Sequence, residues 1–133
     1  MRSSPSRLLR LALRANGAFS LASAALLLAR SGAVVAFLGI LAPPEALTTG
    51  ALLAFFGAVL LLLSTRALVP PRVVVAIIVM DVLWTAGTVW ILWLPRLPLT
   101  NPGRIAIAGV AVVVLCFAYL QATGLRRTSR AQA

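Results

Sequence analysis

Two side chains in the 133 residues carry negative charge, Glu45 and Asp81, and only Asp81 lies inside a long apolar run. Asp81 is the ninth residue of the stretch from Val73 to Leu94, which places it ~13 Å from the nearer end of a helix rising 1.5 Å per residue. A carboxylate at such a depth in hydrocarbon costs about 2.5–3.5 kcal/mol on insertion scales unless it is compensated. Thr85 and Thr88 follow at i+4 and i+7, so the three share one helical face, and that face must turn away from lipid. Two chemistries fit such a residue. One is a structural carboxyl that fixes helix register through hydrogen bonds. The other is a proton carrier, a cation site or a counter-charge for a substrate.

The stretch from Leu11 to Ala29 offers partners. Asn16, Ser20 and Ser23 repeat at i, i+4 and i+7 on a run otherwise rich in Ala and Leu. Interhelical hydrogen bonds of such residues are worth about 0.6–2 kcal/mol each. Gln121 sits about one turn from the end of the fourth apolar run, Ile105 to Leu125. Arg14 lies two residues before Asn16, and its long side chain either reaches the mouth of the cluster or snorkels to a lipid phosphate. Asn16, Asp81, Thr85, Gln121 and Arg14 therefore make up the candidate intramembrane polar cluster. Catalytic, cofactor-binding and metal sites are not expected. With no histidine and a single cysteine, Cys116, the chain has no His–Ser dyad, His-ligated haem, CxxC redox pair or intrachain disulfide. It shows no nucleophile–base pair, metal-ligand set or phosphate loop, so the reading is a non-enzyme without cofactor.

The elements that must position these residues follow from composition. Hydrophobic residues make up 62% of the chain and charged ones 11%, and the mean hydropathy is +1.06. Ordinary soluble domains run to roughly 45–50% and about 25%. A soluble core this small does not hide so much apolar surface, so lipid takes part of it. A hydrocarbon layer of roughly 30 Å needs about 20 apolar residues, and four segments supply them: 11–29, 46–69, 73–94 and 105–125. Pro43-Pro44, Pro70-Pro71 and the Pro95, Pro98 and Pro102 stretch punctuate them, because proline lacks the donor that an interior turn needs. Asn101-Pro102 reads as a cap and first turn, Gly124 as a helix end, and 128–133 as a frayed tail.

The segment 33–42 is too short to span and reads as an interfacial or re-entrant turn. The alternative, one long first span, would bury Arg30 in lipid. Arg2, Arg7 and Arg10 before an apolar run imitate a secretory signal, but the run is longer than a signal core and has Arg14 and Asn16 near its start, so cleavage is not expected. Glu45 fits the first turn of the second span, where negative charge suits the helix dipole. Gly50, Ala54, Gly57 and Ala58 form a small-residue stripe that admits another backbone, within the bundle or across a dimer. Trp84 reads as core packing and Cys116 as a small apolar filler.

Charge sets the expected orientation. The net charge of +10 comes from twelve arginines and no lysine. Four spans put nine of them on the side of both termini and the 64–72 loop, and three, Arg30, Arg96 and Arg104, on the other. Positive-inside then makes both termini cytoplasmic, with Trp90 and Trp93 at the outer interface and Tyr119 toward the inner one. Arginines between apolar runs contact headgroups rather than nucleic acid. Expected partners are the lipid bilayer and a homo-oligomer or larger membrane complex.

The runs Asn16-Gly17-Ala18-Phe19-Ser20, Asp81-Val82-Leu83-Trp84-Thr85-Ala86-Gly87 and Leu120-Gln121-Ala122-Thr123-Gly124-Leu125 resemble those of small uncharacterised four-span bacterial integral membrane proteins. The resemblance covers most of the chain and implies a four-helix fold without implying an activity. The expected fold class is all-α: a polytopic, four-transmembrane-helix bundle with a short interfacial segment after the first helix, set in the bacterial inner membrane.

Overall fold

The structure, a computed structural model, describes residues 5–40 and 42–130. Arg2, Leu41 and 131–133 lie outside the described residues. Four long helices and one short one follow in order: α1 (Arg7–Ala29), α2 (Ser31–Leu38), α3 (Pro43–Thr65), α4 (Pro71–Trp93) and α5 (Asn101–Arg130). Each long helix is long and apolar enough to cross a membrane, since 23 residues rise ~34 Å. The fold is the expected all-α four-helix bundle. Successive long helices run antiparallel, so the start of α1, the end of α3, the start of α4 and the end of α5 share one end. That end carries most of the arginines.

The burial pattern is that of a protein in lipid. On α4 the buried stripe is Val74, Ile77, Asp81, Thr85 and Thr88, while Val79, Met80, Leu83, Trp90 and Trp93 lie exposed. A helix whose exposed face is more apolar than its buried face is stable only where the surroundings are themselves apolar. Trp84 and Cys116 belong to that outer surface, not to the core expected for Trp84. Trp84 stands one position from Thr85 and three from Asp81, off the inward stripe.

Small residues set the closest helix pair. An added Cβ on Gly57 of α3 would lie 2.9 Å from the Gly17 carbonyl oxygen of α1, and one on Gly17 would lie 3.0 Å from that of Gly57. Gly50 meets Leu27 and Leu28 in the same seam. Gly50 and Gly57 thus serve packing inside one chain, whereas Ala58 faces outward. Elsewhere α1 and α4 both pack on α5. Larger side chains (Leu9, Leu13, Leu60, Val74 and Ile77) fill the interior toward the arginine-rich end.

Several boundaries differ from expectation for local reasons. α3 begins at Pro43 rather than 46, because the two prolines occupy its first turn and the Glu45 carboxylate accepts the Ala42 N–H at 2.9 Å. It ends at Thr65 rather than 69. The Ser64 and Thr65 hydroxyls donate to the Leu61 and Leu62 carbonyls, and residues before proline disfavour helix. α5 is capped by Thr100, whose hydroxyl accepts the Gly103 N–H at 2.9 Å, so Asn101 is the first helical residue and not the cap.

Of the expected tail at 128–133, the described part is corrected: α5 continues to Arg130 with Thr128 buried. The Ser6 N–H donates to Thr128 Oγ1 at 2.9 Å and the Ser6 hydroxyl to the Gly124 carbonyl at 2.8 Å. Gly124 is therefore interior, not a helix end. A Cβ there would come within 2.7 Å of the Leu9 nitrogen, so only glycine lets α1 approach so near.

At the other end, α1 stops at Ala29 and Arg30 adopts φ −135°, ψ 35°, which separates α2 from the first span. α2 ends at Gly39 in the left-handed region, φ 79°, a conformation open to glycine. Its last turn is pinned to the start of α5. The Thr100 N–H donates to the Leu38 carbonyl at 3.0 Å and the Thr100 hydroxyl donates to the Phe37 carbonyl.

Candidate functional site

Asn16, Asp81 and Gln121 stand nine, ten and nine residues from the arginine-rich ends of α1, α4 and α5. Equal spacing at 1.5 Å per residue brings all three to one level, ~13–15 Å along the bundle. They meet there. Asp81 Oδ2 accepts Asn16 Nδ2 at 2.7 Å and Gln121 Nε2 at 3.4 Å. The Ser20 hydroxyl, one turn above Asn16, donates to Asn16 Oδ1 at 3.4 Å. Exposure is 1% for Asn16, 4% for Asp81 and 0% for Gln121, so these bonds do not compete with water. One carboxyl oxygen thereby ties α1 and α5 to α4.

The other expected members take different places. Thr85 is buried beside the cluster, but its hydroxyl donates to the Asp81 main-chain carbonyl at 2.9 Å. That back-bond satisfies the hydroxyl within α4 and leaves the Asp81 side chain alone. Thr88 does the same with the Trp84 carbonyl. Arg14 is exposed and does not enter the cluster. Residues two positions apart on a helix point ~200° apart, so facing Asn16 inward turns Arg14 outward.

An apolar layer closes the site toward the arginine-rich end, while Ser20, Thr85 and Thr88 continue the buried polar stripe on the other side. Leu9 and Leu13 on α1 and Val74 and Ile77 on α4 are buried between the cluster and the arginine-rich end. Phe19 on α1 and Phe117 on α5, both half-buried, meet edge to face with ring centroids 5.7 Å apart and planes at 61°, a favoured aromatic geometry. Two grooves, of about 550 and 230 Å³, run between α4 and α5 and are lined chiefly by apolar residues such as Leu115, Val82 and Val89. The Asp81 carboxyl lines neither groove.

Among the described residues, one polar atom at the site has no partner: Gln121 Oε1 is buried without a hydrogen bond. It belongs to the amide that donates to Asp81, so an acceptor stands free beside a carboxyl. Among the described residues, no three His, Cys, Asp or Glu side chains come together. A carboxyl that accepts from two amides ties together the helices that carry them.

Sequence spacing located Asn16, Ser20, Asp81 and Gln121, but not the Ser6–Gly124–Thr128 clasp or the Gly17–Gly57 contact. A signal for the clasp exists. Ser6 directly precedes the α1 pattern as a cap residue, and its hydroxyl does accept the Leu9 N–H at 3.2 Å. No protein family, curated protein or solved structure matches the chain, so the resemblance to small four-span bacterial membrane proteins gains no support from them.

Proposed function

We propose that this is a non-enzymatic structural or accessory component of a membrane, whose helices are registered by a buried polar knot at Asp81. The observation that carries this reading is the convergence of the Asn16 and Gln121 amides on one oxygen of a carboxyl that is 4% exposed. The buried layer of Leu9, Leu13, Val74 and Ile77 toward the arginine-rich end favours a fixed junction over a conduit. The reading includes a partner, either a second copy or a larger membrane complex. Extraction from native membranes in mild detergent, followed by affinity purification, should recover the chain in a stoichiometric assembly. Recovery as a bare monomer by this route would contradict an accessory role.

A second reading, a small proton- or cation-linked carrier, is favoured by one feature. The unpartnered Gln121 Oε1 beside Asp81 is where a hydrogen-bond donor or a cation would be held.

The setting we propose is a bacterial inner membrane with both termini cytoplasmic, supported by the arginine asymmetry between the two ends of the bundle. Single cysteines introduced into the 66–70 loop should be protected from an impermeant thiol reagent in intact cells, and those in 95–99 should be labelled. The reverse pattern would defeat this orientation.

A further inference from the structure

Eight described arginines lie at the end shared by the start of α1 and the end of α5, and the chain has no carboxylate side chain to offer them. Asp81 is buried and bonded to two amides, and Glu45 caps α3 at the opposite end. The like charges are also held together by packing. Ser6 bonds to both Gly124 and Thr128, and Leu9 abuts the Gly124 backbone. Arg7 and Arg10 stand within one turn of Ser6, and Arg127 and Arg130 within one turn of Gly124 or Thr128. Splaying the ends to relieve repulsion would break the clasp. Arg7 and Arg10 moreover occupy the first turn of α1, where the helix dipole is already positive. The negative dipole end of α5 offsets part of the charge of Arg127 and Arg130, but a closed basic cluster with no carboxylate side chain beside it still calls for an external anion.

We propose that the α1/α5 end is a binding surface for the phosphodiester headgroups of anionic phospholipid, and that these lipids stabilise the closed clasp. Guanidinium groups pair with phosphate oxygens through two parallel hydrogen bonds. Basic clusters at membrane-spanning helix ends attract anionic leaflets at short range. This inference does not depend on the role of Asp81.

The test reads the thermal unfolding midpoint in a neutral detergent with added phosphatidylglycerol, phosphatidylcholine or inorganic phosphate. Phosphatidylglycerol should raise the midpoint by about 5 °C, a gain that added salt erodes. Phosphatidylcholine and inorganic phosphate should not. The combined R7Q/R10Q/R127Q/R130Q variant should lose most of that gain and, freed of repulsion, be no less stable than wild type without lipid. R30Q/R96Q, changed at the other end, should keep the gain. Equal midpoints in the two lipids overturn the proposal, as does a quadruple variant that keeps the whole gain. An equal gain from inorganic phosphate overturns the assignment to lipid. If the quadruple variant does not fold, native mass spectrometry of wild type decides: preferential retention of phosphatidylglycerol supports the surface, and equal retention of both lipids overturns it.

Discussion

Gly57→Leu should destabilise the bundle by about 3 kcal/mol, the upper part of the range for forcing extra methylenes into a packed interior. The contact explains the size. A side chain at position 57 would meet the Gly17 carbonyl oxygen at 2.9 Å and the Leu21 nitrogen at 3.1 Å. Backbone cannot rotate aside as a flexible side chain does, so α1 and α3 must separate. Gly50→Leu should cost less, because its neighbours are the Leu27 and Leu28 side chains. The check is the unfolding midpoint in detergent together with the mass of the detergent complex. A lower midpoint at unchanged mass is the expected outcome. A reduced mass with an unchanged midpoint would instead make the stripe an interface between copies.

Asp81→Leu should be comparably severe, about 2–4 kcal/mol. Leucine suits lipid but removes the oxygen on which Asn16 Nδ2 and Gln121 Nε2 converge. Each stranded buried donor costs about 1–3 kcal/mol, and water does not enter to replace the partner at this level of burial. The loss should be largest at the α1–α4 contact, because the 2.7 Å bond from Asn16 is the shorter of the two. Asn16→Leu should therefore weaken the bundle more than Gln121→Leu. A midpoint for Asp81→Leu within error of wild type would show that the carboxyl contributes nothing to register.

What the sequence revealed and what it concealed divide along physical lines. Polar residues in apolar runs are conspicuous, because lipid penalises each one unless it finds a partner. Asn16, Asp81 and Gln121 were therefore legible as a group, and equal rise per residue placed them at one level. Arg14 was harder, since a long cationic chain is compatible with either face, and only the helix phase of Asn16 settles it. Thr85 was placed on the right face, but its hydroxyl serves its own helix, a choice that spacing does not encode. Close backbone approach was the least legible feature. Gly124 fits a helix end by type, yet it lies inside α5 because Leu9 needs its missing side chain. Span edges differ by up to five residues, the most at the end of α5, and by three or four where a hydroxyl or a proline pair redirects the backbone, as at Ser64, Thr65 and Thr100.

Asp81→Asn separates a carboxyl that registers helices from one whose charge does work. Asparagine keeps the shape, keeps an oxygen for Asn16 Nδ2, and adds an N–H that can donate to the unpartnered Gln121 Oε1. It removes only the ionisable group. A junction that merely registers helices should tolerate the change, with an unfolding midpoint equal to or above that of wild type and a stability difference within about 1 kcal/mol. Proteoliposomes of wild type and of the variant, loaded with a pH-sensitive dye and given a pH gradient with or without sodium or potassium, should dissipate it at the same rate. A variant that folds with wild-type stability but loses a flux that the wild type carries would contradict the structural role and make the charge of Asp81 the working part of a carrier.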